Sequence, residues 1–351
     1  MGQIDPFHRR QGAEIFLMAL SANQANVPMI GLSALYDDDS SLSERHILTA
    51  GELDHIFVSW QPRLQNRCRD LMELNRNTSC INQCEQYEVE FLHRTVRDFL
   101  QEHYVRELRL FVPSDFRESA CLARLTIVLI DQVSLDNSLA QRDSLGFLIR
   151  SFFSYAIDAT PSNPHRVKLP IISGWVDDFE KTVEHVLASS TVDRSDSWAQ
   201  FAWGRRMDFI SVAAELGLRD YSLHRLREKQ QREWPKEQAR SYLHCALFPK
   251  LREVGFPDPK LIEGLCELGM NPNTCFNSNY GRTARNCFLR VCLDKWASLL
   301  PTDRTNACNA IRVLIRHGAK TDIIIDGWRL FEVLGRSSWF SKFFSSSFRL
   351  R

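Results

Sequence analysis

The chain has 351 residues, of which 44% are hydrophobic and 25% charged, and its formal net charge is +1. This composition is that of an ordinary globular protein and excludes an intrinsically disordered one. The near-neutral balance argues against a dedicated nucleic-acid binder, whose binding domain is usually strongly basic. The longest apolar run, residues 122–130, contains Arg124 and is too short to span a membrane. We therefore expect a soluble, cytoplasmic protein without a transmembrane segment.

The first hundred residues show helical spacing followed by strand-like alternation. Apolar positions recur at helical intervals in 14–20 and 49–68, whereas residues 71–74 and 87–91 alternate between apolar and polar. A polar stretch joins these two alternating segments, so they predict a β-hairpin. Helical spacing returns at 95–104, where Val96, Phe99, Leu100 and Tyr104 share one face. Helices followed by a hairpin indicate a winged-helix-like domain over residues 1–112.

The middle of the chain predicts a helical connecting region over residues 113–197. Its helices are expected near 116–133, 145–159 and 175–187. Asp115, with Glu118 three residues later, predicts an N-cap for the first of them. The polar segments 160–164 and 189–197 are typical of linkers.

An internal repeat marks residues 198–351. Residues 209–214 match 242–247 at an offset of 33 residues, and 261–273 have a counterpart at 310–322. Each of the latter copies ends in a glycine that can adopt the left-handed conformation that closes a helix. A period of about 33 residues built from helix pairs is typical of ankyrin repeats. Because the later copies are spaced irregularly, we expect degenerate ankyrin-like helical repeats, closed by a C-terminal capping helix from residue 328.

The predicted fold class is therefore mainly α: a winged-helix-like unit with a small β-hairpin, a helical region and degenerate ankyrin-like repeats. Residues 269–273 with 281–284, and again 318–322, resemble the turn and helix-start phrase of the ankyrin family. That resemblance implies a surface that binds other proteins. The candidate interaction residues are Asn271, Asn273, Arg282, Thr283 and Lys320.

Residues 91–100, Phe-Leu-His-Arg-Thr-Val-Arg-Asp-Phe-Leu, resemble a more specific segment. They are similar to the winged helix that follows the NACHT nucleotide-binding domain in fungal NLR-like (STAND) signalling ATPases, and residues 67–73 resemble the phrase preceding it there. The resemblance implies that His93, with Arg94 beside it, contacts the phosphate of bound ADP as a nucleotide sensor. The alternative is that His93 orders the strand-to-helix junction by bonding a backbone group.

The sequence contains no Gly-x4-Gly-Lys-Ser/Thr loop, which is the motif that binds nucleotide phosphates. The resemblance therefore does not imply that this chain hydrolyses nucleotides. The chain is expected to be a truncated relative or the rear part of a split gene. Its expected partners are then other proteins, a separately encoded NACHT domain among them. The expected function is non-catalytic: a regulatory or protein-interaction module of an NLR-like protein in fungal self/non-self or innate-immunity-type sensing.

Catalytic and metal sites are not expected, and two other functions stay open. No Gly-x-Ser-x-Gly elbow or kinase motif set accompanies the His-Arg pair. Cys80 and Cys84 lack the second ligand pair that a zinc site usually needs, so we expect neither metal nor cofactor. One alternative is a stand-alone ankyrin-type scaffold. The other is a DNA-binding winged helix whose residues 59–69 present Arg63, Arg67 and Arg69.

Overall fold

The protein is described by a computed structural model. The described residues are 6–22, 27–36, 47–77, 86–133, 139–159, 169–188, 209–230, 236–248, 257–273, 275–277, 282–295, 298–320, 324–325 and 328–329. The chain divides into two compact units, Met1–Met207 and Asp208–Arg351.

The first unit is mostly helical. Its helices are α1 Pro6–Ser21, α2 Met29–Tyr36, α3 Ala50–Cys68, α4 Arg94–Phe99, α5 Val105–Arg109, α6 Glu118–Asp131, α7 Leu139–Ala159 and α8 Leu169–Ala188. A π-helical turn, Leu100–Tyr104, joins α4 to α5. These three segments form one continuous helical stretch from residue 94 to residue 109.

A small antiparallel sheet accompanies the first helices. Its strands are β1 Val27–Pro28, β2 Met72–Arg76 and β3 Tyr87–Phe91, in the order β1-β3-β2. The hairpin of β2 and β3 confirms the prediction of a mainly α fold with a small β-hairpin. The element order α1-β1-α2-α3-β2-β3 is the layout that a winged-helix-like unit requires. The sequence analysis missed β1, because a two-residue strand containing proline has no periodicity to detect.

Helix α3 begins where the sequence places it because Thr49 and Glu52 form a complete capping box. Leu53, Trp60 and Leu64 are buried on one face, as the helical spacing predicts. Helix α1 packs closely against this helix at Gly12. A Cβ atom added there would lie 2.4 Å from the backbone oxygen of Arg67, so only glycine permits this approach.

The helices after residue 112 pack onto the winged-helix-like unit. Helix α6 contacts α1 and α2, and also α7 and α8. The predicted domains 1–112 and 113–197 therefore lie within one compact unit. The predicted N-cap at Asp115 is wrong: α6 begins at Glu118, after Arg117, which makes no side-chain cap, and the Glu118 carboxylate pairs with Arg109. The predicted linkers, 160–164 and 189–197, lie outside the described residues.

The second unit contains three pairs of stacked helices among its described residues. They are α9 Phe209–Glu215 with α10 Arg219–Gln230, α11 Lys236–Leu247 with α12 Pro259–Glu267, and α13 Ala284–Lys295 with α14 Pro301–Arg316. The first helices of successive pairs contact one another, and so do the second helices. The repeat copies found in the sequence are therefore structurally equivalent, since 209–214 and 242–247 fall on α9 and α11. Membership of the ankyrin family stays a prediction.

Three helices of this unit end in the same C-terminal capping motif. Gly217, Gly269 and Gly318 have φ of 76°, 93° and 82°, in the left-handed region. The residue after each glycine is buried and donates its N–H to a carbonyl five residues earlier, for example Met270 to Leu265 at 3.2 Å. This is the Schellman closure, which the sequence analysis predicts for Gly269 and Gly318.

Two short hairpins extend from the second unit. Strand β4 Cys275–Asn277 pairs with β5 Arg282–Thr283 between the second and third helix pairs, and β6 Ile324–Ile325 pairs with β7 Trp328–Arg329. The predicted capping helix is wrong at residues 328–329, which form this strand. Its remainder, 330–351, lies outside the described residues.

Candidate interaction site on the winged-helix-like unit

His93 joins the end of β3 to the start of α4. Its backbone is extended, and its Nδ1 accepts a hydrogen bond from the backbone N–H of Thr95 at 3.2 Å. The Thr95 hydroxyl lies 2.9 Å from the same nitrogen. His93 therefore caps α4, which is the structural role that the sequence analysis kept as its alternative. Because Nδ1 is an acceptor, the neutral ring carries its proton on Nε2. The exposed side chain thus has an N–H group left to donate.

Basic side chains follow directly on this first turn. Arg94 is 87% exposed and lies 3.5 Å from Asp98, forming the local ion pair that the four-residue spacing predicts. The Nε of Arg97 also has no hydrogen-bond partner among the described residues, but this atom is buried and is not offered to a ligand. The N-terminal end of a helix also carries partial positive charge from its unpaired N–H groups. The junction therefore presents donors and positive charge, which suit an anionic group.

An apolar groove runs beside the same helical stretch. It has a volume of about 640 Å³. Most of its wall comes from one side of the stretch, and the rest comes from α1 and from the turn before β2. The groove is lined by Phe16, Leu71, Thr95, Val96, Phe99, Leu100, Tyr104, Glu107, Leu108 and Phe111. Eight of these side chains are aliphatic or aromatic, so the groove is an apolar surface with two polar groups in it.

The π-helical turn shapes the groove. A π-helix repeats from residue i to residue i+5, so it aligns Phe99 with Tyr104, whose ring centroids lie 5.1 Å apart. Phe99 remains 52% exposed and Tyr104 39% exposed. The sequence analysis predicts a shared face for Val96, Phe99, Leu100 and Tyr104, and all four line the groove. It missed the exposure of this face, because helical spacing does not show whether another element covers it.

The helix that would enter DNA in the alternative function is less basic than its sequence suggests. Arg67 is buried and its guanidinium lies 5.2 Å from the centre of the Trp60 ring. Only Arg63 and Arg69 of the predicted basic face are exposed.

The hairpin beside that helix is acidic. Glu73 pairs directly with Glu90 across the two strands, and Glu88 lies on the same face as Glu90. Partial burial raises the pKa of Glu90, and the neighbouring carboxylates of Glu73 and Glu88 raise it further. Clustered negative charge repels nucleic-acid phosphates. This face therefore gives no support to the DNA-binding alternative.

Two of the predicted interaction residues of the second unit serve its own structure. The Asn273 side chain accepts a hydrogen bond from the backbone N–H of Lys320 at 2.9 Å and donates one to the backbone oxygen of Gly318 at 2.7 Å. Thr283 is buried, and its hydroxyl accepts from the N–H of Asn286 at 3.1 Å. Both side chains are engaged within the unit, and their role in partner binding stays a prediction.

The other three predicted residues differ among themselves. Asn271 is exposed and its side chain accepts from the backbone N–H of Asn273 at 2.9 Å. Lys320 is exposed, and its backbone N–H and carbonyl oxygen form hydrogen bonds with Asn273 and Arg285. The side chain of Arg282 lies outside the described residues. Their role in partner binding stays a prediction.

Arg285 is a residue that the sequence analysis missed. It is 5% exposed, and its guanidinium donates to the side chain of Asn273, to the backbone oxygen of Lys320 at 2.8 Å and to the side chain of Asn286. These bonds brace the turns that follow α12 and α14. No local sequence signal marks this residue, because its partners Asn273 and Lys320 lie 12 and 35 residues away along the chain.

The described residues contain no cluster of three or more metal-ligating side chains. Cys80 and Cys84 lie outside them. Burial raises the pKa of the Cys68 and Cys266 thiols to about 12, so both are protonated and unreactive at neutral pH. Among the helices described, none combines the length and apolar character needed to cross a bilayer.

Comparison with known proteins adds one finding. Residues 3–141 match a family model described as "Domain of unknown function (DUF7791)". No curated protein and no solved structure matches the chain. The matched region contains the whole winged-helix-like unit, the groove and α6. This part of the chain is therefore similar to a family whose description assigns no activity.

Proposed function

We propose that the chain is a non-catalytic regulatory and protein-interaction module of an NLR-like (STAND) signalling protein, acting in the cytoplasm. The winged-helix-like unit serves as the switch, and the stacked helix pairs offer the sensing or autoinhibitory surface. The support comes from the resemblance of residues 91–100 to the NACHT-associated winged helix and from the layout of the first unit.

The observation that carries this proposal is the geometry of His93. Its Nδ1 is occupied by Thr95, which leaves the Nε2–H exposed beside the cationic Arg94. An imidazole in this state can donate a hydrogen bond to a phosphate oxygen. In the proposed switch that phosphate belongs to ADP held by a NACHT-type domain, because this chain has no phosphate loop of its own.

The test measures binding of the chain to a NACHT-type domain with and without ADP, by isothermal titration calorimetry. The variant His93→Asn retains an N-cap acceptor, but its shorter amide cannot place a donor where the imidazole Nε2–H lies. We expect it to weaken binding to the ADP-loaded domain about tenfold, since a hydrogen bond to a charged group contributes about 1.5 kcal/mol or more. His55→Ala, at an exposed histidine on α3, is the matched control. Equal weakening without ADP would contradict the sensor role.

The alternative is a stand-alone scaffold, which the stacking of the three helix pairs favours. In that case the chain binds partners through its second unit and does not respond to nucleotide. A Walker A loop in the coding sequence immediately upstream would favour the NLR-like module over the scaffold. Binding of a NACHT-type domain that is unchanged by ADP and by His93→Asn would favour the scaffold.

A further inference from the structure

We infer that the apolar groove is the docking site for one amphipathic helix of a partner protein, and that this helix carries a basic residue placed to meet Glu107. The inference rests on the proposed interaction function and names the kind of partner. It follows from the length of the groove, the chemistry of its wall and the carboxylate in its lining.

The groove is long rather than compact. Its lining residues on the helical stretch run from Thr95 to Phe111, so it follows the stretch from end to end. At 1.5 Å per residue, residues 94–109 extend over about 24 Å. An occupant of the same length is a helix of about 16 residues, whose apolar side chains recur at i, i+3 or i+4 and i+7.

The wall of the groove is suited to apolar anchors. Phe99 and Tyr104 are large rings, and the π-helical turn holds them side by side at its rim. Aromatic residues of this kind dominate the energetics of protein interfaces. Leu92 is 53% exposed and Leu110 81% exposed, so further apolar surface lies on the strand end and helix end next to the groove. No other described element covers these side chains.

One carboxylate lies in the lining of the groove, and the guanidinium of Arg9 lies 5.4 Å from the centre of the Phe111 ring at the end of the groove. Glu107 is the one charged residue among those that line it, and it forms no ion pair with another described residue. A carboxylate at the edge of an apolar groove is complementary to a lysine or arginine beside an apolar stripe. An acidic helix would place like charges together, so the groove selects against it.

The test uses two synthetic helical peptides of about 16 residues, with leucines at the i, i+3, i+4 and i+7 positions of one face. One peptide has a single lysine beside the stripe, and the other has glutamate there. Binding to the full chain is measured by fluorescence anisotropy. We expect the lysine peptide to bind about fivefold more tightly, because attraction in one case and repulsion in the other differ by about 1 kcal/mol.

Two pairs of variants locate the contact. Glu107→Lys should reverse the preference between the peptides, whereas Glu102→Lys, exposed on the same stretch but outside the groove, should leave it unchanged. Phe99→Ser should weaken the binding of both peptides about tenfold. Val58→Ser removes an exposed apolar side chain of α3 that does not line the groove, and should have no such effect. Circular dichroism checks that each variant is folded.

Several results would overturn the inference. These are an absence of preference between the peptides, an equal response to Glu102→Lys and Glu107→Lys, and tighter binding of a fatty acid such as palmitate that competes with the peptide. A dimer detected by sedimentation that Phe99→Ser abolishes would instead assign the groove to a second copy of the chain.

If the peptide results hold but a NACHT-type domain does not bind, the docking site stands and the NLR-like function fails. If that domain binds and Phe99→Ser has no effect, the function stands and the docking site fails.

Discussion

The two units use their polar and apolar side chains in opposite ways. In the first unit, the helical stretch 94–109 leaves Phe99 and Tyr104 partly exposed, and His93 keeps a free donor at its start. In the second unit, Asn273 and Arg285 are engaged in bonds between the turns of successive helix pairs. The comparison shows that residue type alone does not mark an interaction surface. A side chain is available to a partner only where neighbouring elements neither cover it nor form hydrogen bonds with it.

The largest effect is expected from Gly12→Ala, which tests how closely the first unit is packed. The added Cβ meets the backbone oxygen of Arg67 at 2.4 Å, so α1 and α3 must move apart. We expect a loss of about 3 kcal/mol in the free energy of unfolding. The measurement is urea denaturation, with hydrogen–deuterium exchange to locate the loss in the first unit.

Gly174→Ala is the matched control for that change, because nothing lies within 4 Å of its added Cβ. In the interior of α8 this substitution should stabilise the unit by about 0.5–1 kcal/mol. Equal destabilisation by the two variants would contradict the close approach of α1 and α3.

Arg285→Ala should have the next largest effect and act on the second unit. It removes the donors to Asn273, Asn286 and the Lys320 backbone from a buried site. Losing these charge-assisted hydrogen bonds and the packing of the buried side chain should reduce the free energy of unfolding by about 2 kcal/mol. Lys320→Ala keeps the backbone atoms of this network and should change stability by less than about 0.5 kcal/mol. If both variants unfold at the same urea concentration, the hydrogen bonds of the Arg285 guanidinium do not stabilise the unit.

Glu90→Gln should have a small, pH-dependent effect on the first unit. The pKa of this carboxyl is raised in the folded state, so its charged form disfavours folding. The penalty is absent below the unfolded-state pKa, grows as the pH rises through the window between the unfolded and folded values, and is complete above the folded pKa. The free energy of unfolding of the variant should therefore be higher by about 0.5 kcal/mol at neutral pH and unchanged in strong acid. A gain that persists in acid would point to another cause.

Adding ATP or ADP to the chain alone should not raise its melting temperature. A ligand that binds the folded state must stabilise it by mass action, and this chain contains no phosphate loop. Differential scanning fluorimetry at nucleotide concentrations near millimolar provides the measurement. A clear upward shift would show that the chain holds nucleotide without a partner domain.

Much of the fold could be predicted because its signals are local. The capping box at Thr49 begins α3, and Gly269 and Gly318 end their helices as the left-handed closure requires. The strand β1 could not be predicted, since its pairing with β3 is a long-range contact of two residues. Asp115 has the spacing of a capping residue, but the Glu118 it was expected to face pairs with Arg109 instead.

The candidate site could be predicted only in part. The sequence identifies His93 and the apolar face that contains Phe99, because both depend on local spacing. It does not reveal that this face is uncovered, nor that a π-helical turn aligns Phe99 with Tyr104. Asn273 lies in a segment that resembles the ankyrin turn phrase, yet its hydrogen bond to Arg285 forms only when distant turns are brought together in the fold. Exposure and long-range pairing are properties of the assembled chain.

The identical closures after Gly217, Gly269 and Gly318 have an evolutionary consequence. Each ends a helix with contacts drawn from its own last turn, so a helix pair can be duplicated or deleted without redesigning how its neighbours terminate. The second unit can therefore change in length by whole pairs. New surface would then be added to this unit in discrete steps of one helix pair.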